Sequence, residues 1–274
     1  MPRPFETGSA VAADGARLHW RHYSATEPRV RVVLIHALAM DGSTWQGVVD
    51  LLPADVAAIA VDCRGHGASQ PGEGPFGLPQ FADDVAVVLD AVDWPQAVIA
   101  GCSMGGCVAQ AFAARHPSRT AGLVLIDTTA WYGPEAAANW AERAEKATVA
   151  GLASLLPFQR SRWFSEAFRA AEPAQVAATE AVFLRNDLNS YARSCAMLGE
   201  ADLRGALAKL PVPTAVLVGS EDHATPPAAA RALAREIPGA TLEILEAARH
   251  FTPIERPEAI AAALLQVADR RATL

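Results

Sequence analysis

No stretch of this sequence approaches the roughly 20 consecutive apolar residues that a bilayer-crossing helix needs, so no membrane span is expected. The opening residues Met1-Pro2-Arg3-Pro4-Phe5-Glu6 carry neither the basic nor the apolar region of a secretory leader. Cysteine is sparse, and Cys63, Cys102, Cys107 and Cys195 stand at no metal-type spacing. A reducing cytoplasm is therefore the expected compartment, with neither disulfides nor a metal. Positive charge is in deficit as well: 23 Lys and Arg against 30 Asp and Glu give a formal net charge of -7, which works against nucleic acid or an anionic membrane surface as a partner. Internal repeats and low-complexity tails are absent. What 274 residues at 51% apolar composition do offer is one large domain, or a domain with an insertion, able to bury about 75% of its unfolded surface. A small-molecule substrate is the partner that remains.

After the turn Asp14-Gly15, Leu18, Trp20 and His22 alternate with Arg17, His19, Arg21 and Tyr23, the period of an antiparallel hairpin with one face on a core. The pattern then changes. The runs 30–35, 56–61, 97–100, 122–126, 212–218 and 241–245 are short and mostly apolar, as strands buried on both faces are. Helical spacing separates them, most clearly from Gln80 to Val92, where Phe81, Val85, Val88, Leu89 and Val92 recur after Pro79. Strands alternating with helices predict an α/β fold: a mostly parallel central sheet flanked by helices, with a binding crevice at the strands' carboxyl ends. Between Asp127 and Val212 the rhythm stops, and an alanine-rich helical pattern carries Trp131, Tyr132, Trp140, Trp163, Phe164, Phe168 and Phe183. That length is too great for a plain connection. It predicts a helical cap, 131–205, over a core made of 1–130 and 206–274, its aromatics divided between core packing and the roof of a pocket.

The stretch around which the rest is organised is Val98-Ile99-Ala100-Gly101-Cys102-Ser103-Met104-Gly105-Gly106, an apolar run leading into Gly-x-Ser-x-Gly and then a helical pattern from about Gly105 to Arg115. Such a turn forces a serine out at the end of the sheet, and the glycines are needed where a Cβ would strike the neighbouring strand and helix. The helix directs its positive end at Ser103. A serine hydroxyl needs a base, and the base an orienting carboxylate, so the loops after the last two strands should supply them. They do: Glu221-Asp222-His223 follows one and Arg249-His250 the other, in the order Ser103, Asp222, His250 that this kind of hydrolase uses. Asp222 is the favoured acid and Asp127, ending the strand after the nucleophile helix, the alternative. The oxyanion would rest on the Met104 amide and on one from the loop His36-Ala37-Leu38-Ala39, where Leu38 is the candidate donor. His36 and the turn Asp62-Cys63-Arg64-Gly65-His66-Gly67-Ala68-Ser69 are read as structural, bonding neighbouring loops beneath the site.

These residues resemble the α/β-hydrolase superfamily over nearly the whole chain, from His36–Trp45 through the serine turn to Asp222 with Pro226 and His250 followed by Glu255 and Pro257. Within it, Arg162-Trp163-Phe164-Ser165-Glu166-Ala167-Phe168-Arg169, Tyr191, Cys195 and Ala201-Asp202-Leu203-Arg204 resemble the 3-oxoadipate enol-lactonases. The loop Ala37-Leu38-Ala39-Met40 and the extra Arg249 before the histidine depart from that group's pattern. The resemblance implies an α/β-hydrolase fold with an inserted cap and hydrolysis of a small carboxylated enol-lactone without metal or organic cofactor. Ser103 would attack the lactone carbonyl, an enolate would leave, and His250 would then activate water. Since the net charge repels anions, positive charge should line the pocket, and Arg162 is the candidate, with Trp163 and Trp131 as aromatic substrate contacts. A general carboxylesterase or perhydrolase, a hydrolase of carbon–carbon bonds in ring-cleavage products, and a ligand receptor with slow turnover are the competing readings.

Overall fold

The computed structural model describes residues 1–210 and 212–272; Pro211, Thr273 and Leu274, which the expected core segment 206–274 includes, lie outside the described residues. Among the described residues, eight strands form one sheet: β1 (Glu6–Val11), β2 (Arg17–Tyr23), β3 (Val30–Ile35), β4 (Val56–Asp62), β5 (Ala97–Cys102), β6 (Thr120–Ile126), β7 (Thr214–Gly219) and β8 (Thr241–Leu245). Their order is β1-β2-β4-β3-β5-β6-β7-β8. The hairpin β1–β2 joins antiparallel to β4, and every later pairing is parallel. Strands β4, β5 and β7 are buried along their whole length, in keeping with their unbroken apolar runs. Strand β8 departs from that expectation. At the sheet's edge, Thr241 and Glu243 face solvent while Leu245 is buried, so its pattern is the alternation of a half-covered strand.

The helices are α1 (Gln46–Val49), α2 (Leu78–Ala91), α3 (Met104–Arg115), α4 (Ala136–Ala150), α5 (Leu156–Trp163), α6 (Glu166–Ala171), α7 (Pro173–Leu184), α8 (Leu188–Gly199), α9 (Arg204–Leu207), α10 (Pro227–Glu236), α11 (Thr252–Glu255) and α12 (Pro257–Ala272). Helix α2 starts two residues earlier than the periodicity predicts, because Pro79 in its first turn lacks the N–H that would otherwise go unbonded there. It buries Phe81, Val85, Val88 and Leu89 on one stripe and packs against α3, which lies on β5 and β6; α12 packs on α1 and across β5, β6 and β7. Helices α4 to α9 all fall between β6 and β7, and among the described residues this interval adds no strand to the sheet. The two ends of the segment 131–205 are pinned together by the isolated bridge of Trp131 with Asp202 and by the Leu203 amide on the Ala130 carbonyl at 2.9 Å.

The turn after β4 is a polar knot that ties the β1–β2 hairpin to the sheet. Asp62 accepts from the Gly42 amide at 2.8 Å, the Ala68 amide at 2.9 Å and faces His19 Nδ1 at 2.9 Å. Gly67, at φ +54°, would press a Cβ to 2.4 Å from the same carboxylate, so only glycine closes this turn. Arg64 is almost fully buried, forks onto both Asp84 oxygens at 2.7 Å and reaches Asp14 at 2.7 Å. Burial pushes the Asp84 carboxyl up even against this guanidinium, whereas the Arg64 hydrogen bond holds the exposed Asp14 carboxyl below its usual range.

Candidate active site

Ser103 stands where β5 runs into α3, with φ 55° and ψ -115°, a conformation that non-glycine residues adopt at a cost of order 1–3 kcal/mol. The neighbours permit it. A Cβ on Gly101 would come to 2.0 Å from the Gly105 carbonyl oxygen, and one on Gly105 to 2.1 Å from that of Ile35 on β3. The strand end and the helix start therefore interlock, and the backbone of Ser103 is held by its amide on Ile126 O at 2.9 Å and by Thr128 Oγ1 donating to its carbonyl at 2.7 Å.

His250, in the loop after β8, brings Nε2 to 2.9 Å from Ser103 Oγ, and its Nδ1 lies 2.8 Å from Asp222 Oδ2. A carboxylate can only accept, so Nδ1 carries the ring proton and Nε2 keeps its lone pair toward the serine. Asp222 follows β7 and is fully enclosed: the Ala224 and Thr225 amides donate to Oδ1 at 2.7 and 3.1 Å, and Thr225 Oγ1 to Oδ2 at 2.9 Å. Burial favours the neutral acid here, but the charge and hydrogen bond of His250 together with those amides outweigh it and hold the carboxyl below its usual range. Asp127, the alternative acid, turns elsewhere. Its oxygens accept from Gly219 N at 3.1 Å, Thr252 N at 2.9 Å and Thr252 Oγ1 at 2.7 Å, so it braces the loops that carry Asp222 and His250 from behind. Burial, with the Asp222 charge adding to it, pushes the Asp127 carboxyl far up.

Leu38 lines the cavity beside Ser103, and Met104 is the first residue of α3, where a helix leaves its N–H without an intrahelical acceptor. The loop that presents Leu38 is set by His36: Cys63 N donates to its Nε2 at 2.9 Å, so its Nδ1 holds the proton and donates to Ala37 O at 2.7 Å. On the far side, Asn186 donates to Ala39 O at 2.8 Å and Arg185 meets Asp41 at 3.4 Å, fastening the end of α7 to this loop.

Above Ser103 opens a cavity of about 530 Å³, walled by Leu38, Tyr132, Trp140, Arg143, Gln159, Arg162, Trp163 and Phe251 among others. Trp163 is buried, stacks on Phe251 at 5.1 Å and meets Phe183 edge-on. Arg162 lies on the wall, its carbonyl accepting from His250 N at 3.4 Å and its Nη2 donating to the His223 carbonyl. Trp131 lies outside the cavity lining, contrary to expectation. The Arg204 guanidinium sits 3.8 Å over its ring and its backbone bridges to Asp202, so it closes the base of the interval 131–205, and Tyr132 occupies the wall. Tyr132 has its hydroxyl 3.8 Å from Cys107 Sγ, and loss of solvent pushes its phenol far up, Cys107 adding to the shift and Arg143 opposing it. Arg143, Gln159 and Thr225 are the wall and support residues that sequence reasoning passes over. Arg143 follows Trp140 by three positions on one helix face, which is a signal once the helix is known to cover the crevice.

An eight-stranded, mostly parallel sheet with a serine at the β5–α3 turn and a histidine after the last strand defines an α/β-hydrolase fold, and residues 32–263 match the model of the alpha/beta hydrolase family. The chain belongs to that family. Among its relatives, 3-oxoadipate enol-lactonase 2 of Acinetobacter baylyi is 31% identical over 266 residues, covering 97% of this chain and 98% of the relative. The crystal structure of an enol-lactonase from Burkholderia xenovorans LB400 superposes with a TM-score of 0.89 at 33% identity, over 96% of this chain and 100% of that one. A thermophilic esterase from Thermogutta terrifontis, solved with malate bound, gives 0.87 at 28% identity, over 98% and 99% of the two chains.

Proposed function

We propose that the protein is a serine hydrolase that opens a small carboxylated enol-lactone. The observation that carries this reading is the unbroken chain from Ser103 Oγ through His250 to the enclosed Asp222, with distances of 2.9 and 2.8 Å, opening onto a cavity. Residues 131–205 act as its cap. His250 Nε2 takes the proton of Ser103 as the hydroxyl attacks the lactone carbonyl, and Asp222 stabilises the imidazolium that results. The oxyanion rests on the Leu38 and Met104 amides at the positive end of α3. Ring opening expels an enolate, which takes up the proton held by the His250 imidazolium and so returns the ring to its neutral form. His250 then draws a proton from water as hydroxide attacks the acyl-enzyme, and collapse of that intermediate returns the proton to Ser103 Oγ and regenerates the hydroxyl. These steps use side chains and backbone alone. Arg162 and Trp163 furnish one wall for the substrate beside His250.

The lactone is favoured over a simple ester by the relatives named as enol-lactonases and by the cationic wall of the cavity, which suits a substrate with a free carboxylate. The likeness to the Thermogutta terrifontis esterase is almost as great in fold, and it supports a general carboxylesterase as the second reading. Steady-state kinetics on an enol-lactone of this kind, on p-nitrophenyl esters and on a carbon–carbon ring-cleavage product decide between them. The lactonase reading requires the lactone to have the highest kcat/KM. A higher value on the neutral esters, or turnover of the ring-cleavage product alone, overturns it.

A further inference from the structure

The cavity above Ser103 contains two guanidiniums, and among the described residues neither has a carboxylate within ion-pair distance. They are held differently. Arg162 is committed, with Nη2 on the His223 carbonyl and its flat face 4.9 Å from the Phe158 ring centroid. Arg143 donates Nε to Tyr191 Oη at 2.7 Å and lies 5.0 Å from the Trp140 ring centroid. These contacts fix the plane of the Arg143 guanidinium and leave its two terminal nitrogens without a protein acceptor among the described residues.

Tyr191 orients this cation without neutralising it. Burial pushes the Tyr191 phenol up to about 12 even though Arg143 opposes the shift, so the hydroxyl stays protonated and offers only a lone pair to Nε. The two guanidiniums also repel one another. Arg162 is held below the ordinary arginine range, first by burial and then by the charge of Arg143. Next to them Gln159 is almost fully buried, and its carboxamide nitrogen has no partner among the described residues. Glu142 and Lys146 also line the cavity, but Glu142 forms no ion pair with either guanidinium among the described residues. The two guanidiniums and the unsatisfied buried amide are together short of one thing, an anion with more than one acceptor oxygen.

We propose that Arg143 is the anchor for a free carboxylate on the substrate: its terminal nitrogens take the two oxygens side by side, Gln159 adds a donor, and Arg162 contributes a second positive charge while holding the His223 loop. Arg143 is thus a specificity-determining residue and Tyr191 a positioning residue. The substrate class that fits is an ester or lactone bearing a second, ionised carboxyl group, and the product is a dicarboxylate. This rests on the hydrolase reading for the reaction and on the free carboxylate of the proposed substrate, and it assigns the residue that reads that carboxylate.

Two activated esters of the same chain length test it: mono-4-nitrophenyl adipate, which ends in a carboxylate, and 4-nitrophenyl hexanoate, which ends in a methyl group. With wild type the anionic ester should have the higher kcat/KM. Arg143→Met should lower that value by about 10- to 100-fold, chiefly through KM, and leave hexanoate within about 2-fold. Arg143→Lys, which keeps the charge but loses the fork, should fall between, and Tyr191→Phe should raise KM for the anionic ester alone. Adipate added as a competitive inhibitor should weaken in the same order, a readout that a purely structural role would not move. Equal losses on both esters, or no loss on either, overturn the assignment. So does a wild type that prefers hexanoate. If the wild type prefers the adipate ester through Arg143 yet leaves an enol-lactone intact, the lactone reading falls and the anchor stands.

Discussion

Asp222 and Asp127 are both buried and both end in the loops around His250, yet their partners give them different work. Asp222 faces Nδ1 of His250 at 2.8 Å, whereas Asp127 is spent on Gly219 and Thr252. Replacing Asp222 by Asn should lower kcat by about 10⁴-fold, because the amide permits the wrong ring tautomer. Replacing Asp127 by Asn should leave kcat within about 10-fold and instead lower the melting temperature, since one of the two oxygens that accept from Gly219 and Thr252 becomes a donor. Measured kcat and thermal unfolding of both variants check this, and the reverse ranking moves the acid to β6. The closeness of Ser103, Asp222 and His250 is legible in the sequence because each follows a recognisable strand, and parallel strands bring their carboxyl ends to one edge. Arg143 is not legible in that way. It lies in a helical stretch without strand punctuation, where nothing local says which face of the helix looks down.

At the scale of elements, the glycines of the serine turn and the runs of β3 to β7 are readable because steric and burial demands act on the residues themselves. The edge position of β8 and the closing role of Trp131 depend on partners distant in sequence. So does the seam that joins α5 to the histidine loop: Phe251 N bonds Trp163 O at 3.0 Å, Arg249 reaches the Ser161 carbonyl and Glu221, and Glu255 accepts from the amides of Ser165 and Arg249. Arg249 thereby places a cation on the carboxyl end of α5, where the helix's negative end favours it. Glu255→Ala should cost about 1–3 kcal/mol for each amide it strands, read as a lower urea midpoint. On the opposite side, Arg64→Met leaves Asp84 buried without its partner and should cost about 3–5 kcal/mol by the same measurement. A loss under about 1 kcal/mol in either variant would mean that the loops close without these groups.

For the molecule as a whole, the net charge of -7 works against anions at long range, so the proposed anionic substrate requires opposing positive charge at the cavity, where Arg143 and Arg162 lie. The whole fold also has a built-in acid sensitivity. Burial pulls His66 down to about 3 and holds His36 below its ordinary range, and the two rings lie 5.1 Å apart. A histidine whose folded pKa is depressed stabilises the fold fully above its unfolded value near 6.5, and that contribution is lost as pH falls from there toward about 3. The stability advantage of wild type over His66→Asn should therefore be constant above about pH 7 and shrink by about 1.4 kcal/mol per pH unit once the pH is below roughly 6. A difference that stays constant down to about pH 4.5 contradicts the assignment of a neutral His66.

The proposed chemistry depends above all on Ser103 as the nucleophile. Purified Ser103→Ala, checked for an unchanged circular-dichroism spectrum and melting temperature, should hydrolyse the best ester or lactone substrate with kcat lower by about 10⁴- to 10⁶-fold, because the members of such a triad act as one unit. Turnover at a tenth of the wild-type rate by that folded variant would contradict the covalent mechanism.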